Sequence, residues 1–505
     1  MTTQSVTLGR SSNQARALGE FAIDFMAGKF PPPKASVFER LDLFHLDSVC
    51  CAVSALAMKT NAPTVLKKEA LSYPIQEKGT GATCFGSTQR VSPEKAILAN
   101  CAAVREWDSN GTNFGFNPDQ NATAGEFGHN DFYPVAIAAA QAKGLDGFHA
   151  SLGMLLIDEI RGRLAEVFSL KDKKIDHVLH GAIASTAVYG AMTGADARQI
   201  ESALGLLIAH YVPYRAIRSG KQLSDSKGAS AAISTEMGIV SLHRAARGFA
   251  GPADIFRNRQ AIFCLANPPD AENESPFDLT LTCGGEKFAL LDMHFKLGLY
   301  EHQSAGAIQA VIELLQKYPK LLTDGRFPDH IEITIYEPAF SIICDPAKKN
   351  PQTRQTADHS MLFIIASLLE KAYRSQATSW EDLMLLPADY TMDQINNPTI
   401  RSLMDKIHVR HGGSSFDRKY PKGIPTSIRL RHNDLGTLES GLIMYPLGHS
   451  RSNFSATKEI LHVKMHQLAS LGVEQPHAMM SRFTDLRNAS AQEIQALYSF
   501  DILDG

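Results

Sequence analysis

The most unusual stretch of the sequence is a polar segment of thirty residues, REWDSNGTNFGFNPDQNATAGEFGHNDFYP, at 105–134. It is rich in glycine, asparagine and acidic residues, holds a single histidine, and lies between two predicted helices. A long polar loop in a compact helical protein is often functional, because rigid elements then position binding and catalytic groups on the loop. The alternative is a surface loop in which asparagine and glycine only make turns. Composition alone does not separate the two.

Cationic and imidazole side chains occur further along the chain. Lys227, with Arg215 and Arg218 upstream, could face an anion, although a lysine in so polar a run is by default a solvated surface residue. His177 and His180 are spaced to share one helix face, but no third metal ligand lies nearby in sequence. We therefore expect no metal site.

The elements that must position these residues change in character along the chain. From Val37 to about Val240, apolar residues recur every three or four positions, which predicts consecutive helices, including one opened by Ser92-Pro93-Glu94 and one over 181–192. From Phe277, FDLTLT, a Gly284-Gly285 turn and KFALLD predict a strand, a turn and a strand.

Later segments mix strands and helices. IEITIYE at 331–337 alternates with period two, and two further strands flank Asn433-Asp434, with helices at 304–317 and 359–374. After Pro446 the helical pattern returns. We predict a mainly α protein, with a large all-α domain formed by 1–275 plus 446–505 and an inserted α+β lid domain at 276–445. The site is expected in the cleft between them.

Composition excludes several classes of protein. Fifty basic and 53 acidic side chains give a net charge of −3, so no overall field attracts nucleic acid or an anionic membrane, and no apolar run is long enough to span a bilayer. Seven cysteines without a CxxC pair argue against zinc, disulfide and iron–sulfur frameworks. The N-terminus lacks a secretory core, which favours the cytoplasm, while Arg10 and Arg16 leave a mitochondrial leader open.

Several ordered segments resemble the 2-methylcitrate dehydratase family, also called the MmgE/PrpD family, which includes cis-aconitate decarboxylases. They are DSNGT at 108–112, GHND at 128–131, KIDHVLH at 174–180, SDSKG at 224–228, ADHSM at 357–361 and YPLGH at 445–449. The resemblance implies a helical domain with a lid, a homodimer, and a hydro-lyase that converts 2-methylcitrate, or citrate, without a metal, iron–sulfur cluster or other cofactor. The expected partners are a small polycarboxylate and a second copy of the chain.

The resemblance also implies the site residues. The catalytic candidates are Asp108, Thr112, His129, His177, Lys227 and, by an approximate correspondence, His302. The substrate-binding candidates are Arg215 and Arg218, chosen for their charge, together with Lys296, His359, His449 and Arg451. The alternatives are that His359 only satisfies a buried backbone group and that His449 and Arg451 only fix the domain junction. The sequence departs from the family pattern at the loop, where Ser109 and Gly111 replace an aromatic residue and an acid, and Asn130 replaces a proline. About nine extra residues also separate Thr112 from His129.

The chemistry of dehydration agrees with these residue types. A base must remove a proton next to a carboxylate, an acid must protonate the leaving hydroxyl, and cations must face the charge that develops. An imidazole titrates near neutral pH, so His129 or His177 is the expected base, with Asp108 and Thr112 orienting substrate or assisting the hydroxyl. Decarboxylation of cis-aconitate and epimerisation of an amino-dicarboxylate would use the same groups. A non-catalytic helical relative is the remaining alternative.

Overall fold

The computed structural model describes residues 5–76, 80–120, 124–218, 222–323 and 325–503. Two parts of the segments discussed above lie outside the described residues. They are 1–4 of the N-terminal segment and 121–123 of the polar loop.

Helices make up most of the described chain. In chain order they are α1 (Gln14–Met26), α2 (Ala35–Ala57), α3 (Asn61–Leu71), α4 (Pro93–Glu106), α5 (Tyr133–Lys143), α6 (Gly147–Val167), α7 (Val178–Thr193), α8 (Ala197–His210), α9 (Ser226–Ala246), α10 (Ile262–Ala266), α11 (Ala305–Lys317), α12 (Lys320–Thr323), α13 (Ala339–Ile343), α14 (Arg354–Ala357), α15 (Met361–Ser375), α16 (Trp380–Leu383), α17 (Met392–Ile395), α18 (Pro398–Lys406), α19 (Ser414–Asp417), α20 (Phe454–Gly472), α21 (Pro476–Ser481) and α22 (Ala491–Gln495).

The strands are short. They are β1 (Ser5–Leu8), β2 (Ala82–Thr83), β3 (Arg90–Val91), β4 (Thr112–Asn113), β5 (Gly128–His129), β6 (Leu279–Thr282), β7 (His330–Ile335), β8 (Ile407–His411), β9 (Thr426–His432) and β10 (Gly436–Ile443). The mainly α prediction is therefore confirmed.

The first nine helices pack closely, with α9 against α4, α7 and α8, and α6 against α7. Small residues allow this approach: a Cβ on Gly181 of α7 would lie 1.9 Å from the Phe132 ring. The predicted end of α7 is also confirmed, because Gly194 follows it in the left-handed conformation with φ +89°. These contacts hold His177, which precedes α7, and Lys227, in the first turn of α9, in fixed positions.

The later part of the chain contains a four-stranded sheet in the order β10-β9-β7-β8. Strands β9 and β10 form the hairpin predicted around Asn433-Asp434, β7 matches the predicted strand at 331–337, and α11 and α15 match the two predicted helices. The parallel partner β8, with the sequence IHVRH, was not predicted, although its first four residues alternate between apolar and polar. Helix α11 packs on β9 and β10.

Two expectations about strands were wrong. Strand β6 does not pair with KFALLD; it pairs antiparallel with β1, and Ala289–Asp292 form a 3₁₀ turn. Phe288 and Leu290 are buried, and the backbone amide of Ala289 donates to Glu159 on α6 at 2.6 Å. Packing against the N-terminal helices therefore determines the conformation of this segment, and its intrinsic strand propensity does not. The stretch 37–240 is also not purely helical, since it contains the two-residue ladders β2–β3 and β4–β5.

The packing of the ends bears on the domain division. Helix α20 packs against α2, and the residues around β6 contact α6. The boundaries at 276 and 446 stay predictions. Within the described residues no single helix is long and apolar enough to cross a membrane; α2 and α3 meet that test only as a pair bent by 89°.

Candidate active site

The polar loop after α4 closes on itself through a two-residue ladder. Thr112 on β4 is the register partner of His129 on β5, and the Thr112 hydroxyl donates to the Gly128 carbonyl at 2.7 Å. Phe114 and Phe127, in the segment between the two strands, line the cavity beside them with ring centroids 5.9 Å apart. The two ends of this loop therefore contribute part of the cavity wall.

Asp108 is the centre of a buried cluster of cations. Its Oδ1 accepts from Arg105 Nη1 at 3.0 Å and from the Lys296 ammonium, and its Oδ2 lies 3.5 Å from Lys227 Nζ and 3.1 Å from His359 Nε2. Burial by itself would raise the pKa of Asp108, but Arg105, Lys296 and Lys227 outweigh it and hold that pKa well below its ordinary value. Asp108 is thus a permanent carboxylate, which favours the orienting role over that of proton donor.

A second buried carboxylate, Asp358, supports Lys227 from behind. Its Oδ1 accepts from Lys227 Nζ at 2.9 Å and lies 2.6 Å from His359 Nδ1, and its Oδ2 accepts from Arg354 at 3.2 Å. Lys227 is 2% exposed, so the surface-lysine interpretation is wrong. Burial lowers the pKa of Lys227, while Asp358 and Asp108 oppose that change. The two carboxylates hold the ammonium at the cavity wall.

His129 and His177 lie side by side, with ring centroids 5.3 Å apart. Arg105 Nη2 lies 3.3 Å from His129 Nε2 and can only donate, so we assign the proton of the His129 ring to Nδ1. Neither ring nitrogen of His177 has a hydrogen-bond partner among the described residues. Burial, helped by Arg105, lowers the pKa of both rings well below its ordinary value, and both are therefore neutral. A neutral imidazole has a lone pair that can take a proton.

The arginines upstream of Lys227 differ in what they bind. Arg218 makes two bonds to Asp176, from Nε at 2.5 Å and from Nη2 at 3.1 Å, so its charge is already neutralised. The Nη1 of Arg215 is buried without a hydrogen-bond partner among the described residues, and burial lowers the pKa of this guanidinium. A half-buried guanidinium with such a nitrogen has much to gain from an anionic ligand.

These groups line one cavity of about 580 Å³, including its mouth. Of the residues predicted from the sequence, it brings together Asp108, Thr112, His129, His177, Arg215, Arg218, Lys227 and His359. The lining comes both from the N-terminal helices and from 301–359, as expected for a site between two parts of the chain.

Four predicted residues lie elsewhere. His449 and Arg451 line a separate cavity of about 390 Å³, on the other side of Phe114, together with His294. His302 is buried with its ring 5.4 Å from both Phe114 and His294. Lys296 is fully buried against Asp108, where it supports the carboxylate from below the cavity surface.

Sequence reasoning missed four functional side chains. Arg105 and Asp358 lie within segments that were singled out, and Glu301 directly precedes His302. These three could have been found by asking which charged neighbours a buried lysine or histidine requires. Lys348, which donates to the Ile342 carbonyl at the cavity wall, has no comparable signal in the sequence.

A metal site was not expected, and the geometry bears on that expectation. The Nε2 of His180 lies 3.0 Å from the Phe168 carbonyl oxygen, which it can bind only as a donor. The ring is thus engaged with the backbone and does not form a metal-ligand pair with His177. Among the described residues, Asp108, Asp358 and His359 have ligand atoms within 4.8 Å of one another. Lys227 contacts both of these carboxylates, and its charge would oppose a divalent cation there.

Comparisons with known proteins bear on what the site is. The MmgE/PrpD N-terminal domain matches residues 16–270 and the MmgE/PrpD C-terminal domain matches residues 300–485. The chain is 24% identical over 414 residues to the 2-methylcitrate dehydratases of Salmonella typhi and Salmonella typhimurium, and 23% identical over 410 residues to that of Escherichia coli O157:H7. Each match covers 76% of this chain and 79% of the relative. Two domain models that together span most of the sequence show that the chain belongs to the MmgE/PrpD family.

Proposed function

We propose that this protein is a hydro-lyase that removes water from 2-methylcitrate to give 2-methyl-cis-aconitate, with citrate as a second substrate to test. The observation that carries the proposal is a cavity lined by two neutral histidines, the buried Lys227, and Arg215, whose Nη1 has no hydrogen-bond partner in the part of the chain that the structure describes. Cations of this kind bind carboxylates, and neutral imidazoles accept protons. The names of the relatives above supply the substrate class.

His177 is the better candidate for the base. The lone pair of His129 Nε2 is engaged by Arg105, whereas both nitrogens of His177 are free of hydrogen bonds within the described part of the chain. Besides burial, Arg218, Arg215 and Arg105 lower the pKa of His177. A bound polycarboxylate would offset these positive charges and raise the basicity of the ring when substrate is present.

The carboxylates of the substrate would lie against Arg215 and Lys227. Asp108 keeps Arg105 and Lys227 in place, so its role is to position cations that stabilise the charge developing next to the carboxylate. Arg105 and Lys227 are themselves held by carboxylates, and little reorganisation is therefore needed during the reaction. The chemistry we propose uses side chains alone, without metal or iron–sulfur cluster, in a homodimer.

The first experiment is an assay of the purified protein in the presence of a chelator. 2-Methylcitrate, citrate and cis-aconitate are offered separately, and the absorbance of the unsaturated acid is followed together with released carbon dioxide. Absorbance that rises with 2-methylcitrate, without gas, supports the dehydratase. Gas from cis-aconitate would replace it with a decarboxylase, and activity lost to the chelator would overturn the metal-free chemistry.

A further inference from the structure

Glu301 lies at the cavity wall with one carboxyl oxygen uncommitted. Its Oε2 accepts from the backbone amide of Gln303 at 2.8 Å, which caps the 3₁₀ turn His302–Ser304. No hydrogen bond or ion pair to Oε1 is present among the described residues. The backbone amide of Glu301 donates to the Asp358 carbonyl at 2.9 Å, and the amide of Tyr300 donates to the Asp108 carbonyl at 3.1 Å. The backbone at Glu301 is therefore fixed beside the segments that carry Asp108 and Asp358, and the carboxyl lines the cavity.

Four other side chains of the cavity, Asp108, Thr112, His129 and His177, are poor proton donors for a leaving hydroxyl. Asp108 is held ionised by its cations, and the Thr112 hydroxyl already donates to a carbonyl. His129 and His177 are neutral, and the proposed mechanism uses one of them to accept a proton. Dehydration nevertheless needs an acid, because hydroxide leaves a tertiary carbon far less readily than water does.

We propose that Glu301 is the general acid, a role that rests on the proposed dehydratase function. The base takes the proton from the carbon next to a carboxylate, and the electrons of that C–H bond form the double bond. The C–O bond breaks, and its electron pair takes the proton of Glu301 Oε1, so that the hydroxyl leaves as water. The base is left protonated and Glu301 ionised, and one proton passed between them through water restores both.

The surroundings of Glu301 suit an acid that is protonated near neutral pH. Burial, followed by the charge of Asp108, raises the pKa of Glu301 to about 7, against the opposing effect of Lys296 and Lys348. The titratable and charged groups that face this carboxyl from the neighbouring elements are Asp108, Lys296, Lys348, Cys344, Tyr336 and Tyr420. The two lysines are placed to stabilise the carboxylate that forms when the proton is given up.

The test compares two substrates in the full-length protein. The first is 2-methylcitrate, and the second is its analogue with fluoride in place of the hydroxyl, because fluoride leaves without needing a proton. Glu301→Gln keeps an oxygen for the Gln303 amide and removes the acid. We expect it to lower kcat on 2-methylcitrate by roughly 10²- to 10⁴-fold and to leave fluoride release within about threefold of wild type. Wild-type kcat should fall as pH rises through about 7, and the variant should lack that fall.

Glu126 supplies a matched control, since it is another buried glutamate whose pKa is raised to about 7 by burial, but it does not line the cavity. Glu126→Gln should leave the ratio of the two rates unchanged. If Glu301→Gln slows both substrates equally, or neither, Glu301 is not the acid although the dehydratase stands. If wild type releases no unsaturated acid from 2-methylcitrate or citrate, the proposed function itself fails and this role fails with it.

Discussion

Replacing Asp108 by asparagine should destabilise the protein through the cations that it leaves behind. The carboxylate is 1% exposed and contacts Arg105, Lys227 and Lys296. Arg105 keeps a second carboxylate, Asp131, at 3.6 Å, and Lys227 keeps Asp358 at 2.9 Å. Lys296 is fully buried and has no second carboxylate within 4.0 Å among the described residues. The cost therefore comes mainly from one buried, unpaired ammonium.

Breaking a buried ion pair by removing one partner typically costs about 3–5 kcal/mol, and we expect Asp108→Asn to lower the free energy of unfolding by that amount at pH 7. In the folded protein the pKa of Asp108 is below its ordinary value. The contribution of this carboxylate to the free energy of unfolding is therefore fully present above the ordinary pKa, and it is lost only as pH falls through the lower, folded pKa. At pH 7 the full effect is present.

Urea unfolding followed by the fluorescence of Trp107 measures this change next to the cluster. Trp107 directly precedes Asp108, and the Trp380→Phe background removes the other tryptophan. The control is Asp108→Asn combined with Lys296→Met, which removes the stranded charge and should recover at least about 1 kcal/mol relative to Asp108→Asn alone. A loss below about 1 kcal/mol for the single variant, or no recovery in the double variant, would refute the reasoning.

Two further predictions concern binding and pH. Arg215→Ala should raise KM about tenfold or more with little change in unfolding free energy, because Arg215 Nη1 has no hydrogen-bond partner to lose among the described residues. Arg218→Ala should instead destabilise the protein by leaving Asp176 unpaired. Equal effects on KM and stability in the two variants would contradict this contrast. Stability should fall as pH drops below about 6.5, by about 1.4 kcal/mol per pH unit for each buried histidine whose folded pKa is lowered, since the unfolded chain takes up those protons first. The histidines are His45, His129, His177, His180, His294, His302, His359 and His449. Replacing His45, buried between Tyr133 and Phe483, by phenylalanine should reduce the slope by about one proton, and an unchanged slope would count against this account.

The sequence predicted those features that depend on local patterns. The helices, the β9–β10 hairpin and the loop that carries Asp108 each follow from periodicity, caps or turn residues within a short window. What it did not predict depends on distant partners. Lys296 meets Asp108 across 188 positions, and β1 pairs with β6 at the far end of the helical region. A KFALLD-like segment is equally compatible with a strand or a turn until the surface that buries it is known.

The same limit applies to individual site residues. Arg218 and Arg215 are indistinguishable in sequence as candidate anion ligands, and the difference arises only because Asp176 occupies one of them. His449 and Arg451 were assigned to the substrate by resemblance, yet Phe114 separates their cavity from that of Asp108. The packed structure determines whether the charge of an arginine is already neutralised and which aromatic ring separates two cavities.

Two of the departures from the family pattern in the loop, Gly111 and Asn130, fit each other in the packed structure. A Cβ on Gly111 would lie 2.3 Å from Asn130 Oδ1 and 2.5 Å from the Phe44 ring, so the missing side chain makes room for the asparagine. Asn130 in turn donates to Tyr133 at 2.7 Å and to Asp158 at 2.9 Å, and its amide donates to the Gly111 carbonyl.

Gly111→Ala should therefore destabilise by about 1–3 kcal/mol through overpacking. In an Asn130→Ala background the same change should cost at least about 0.5 kcal/mol less, because the closest obstructing atom is gone while the Phe44 ring remains. Urea unfolding of the four proteins in this cycle gives the coupling. Additive costs would mean that the two positions are independent, and the argument that Gly111 and Asn130 form a matched pair would fail.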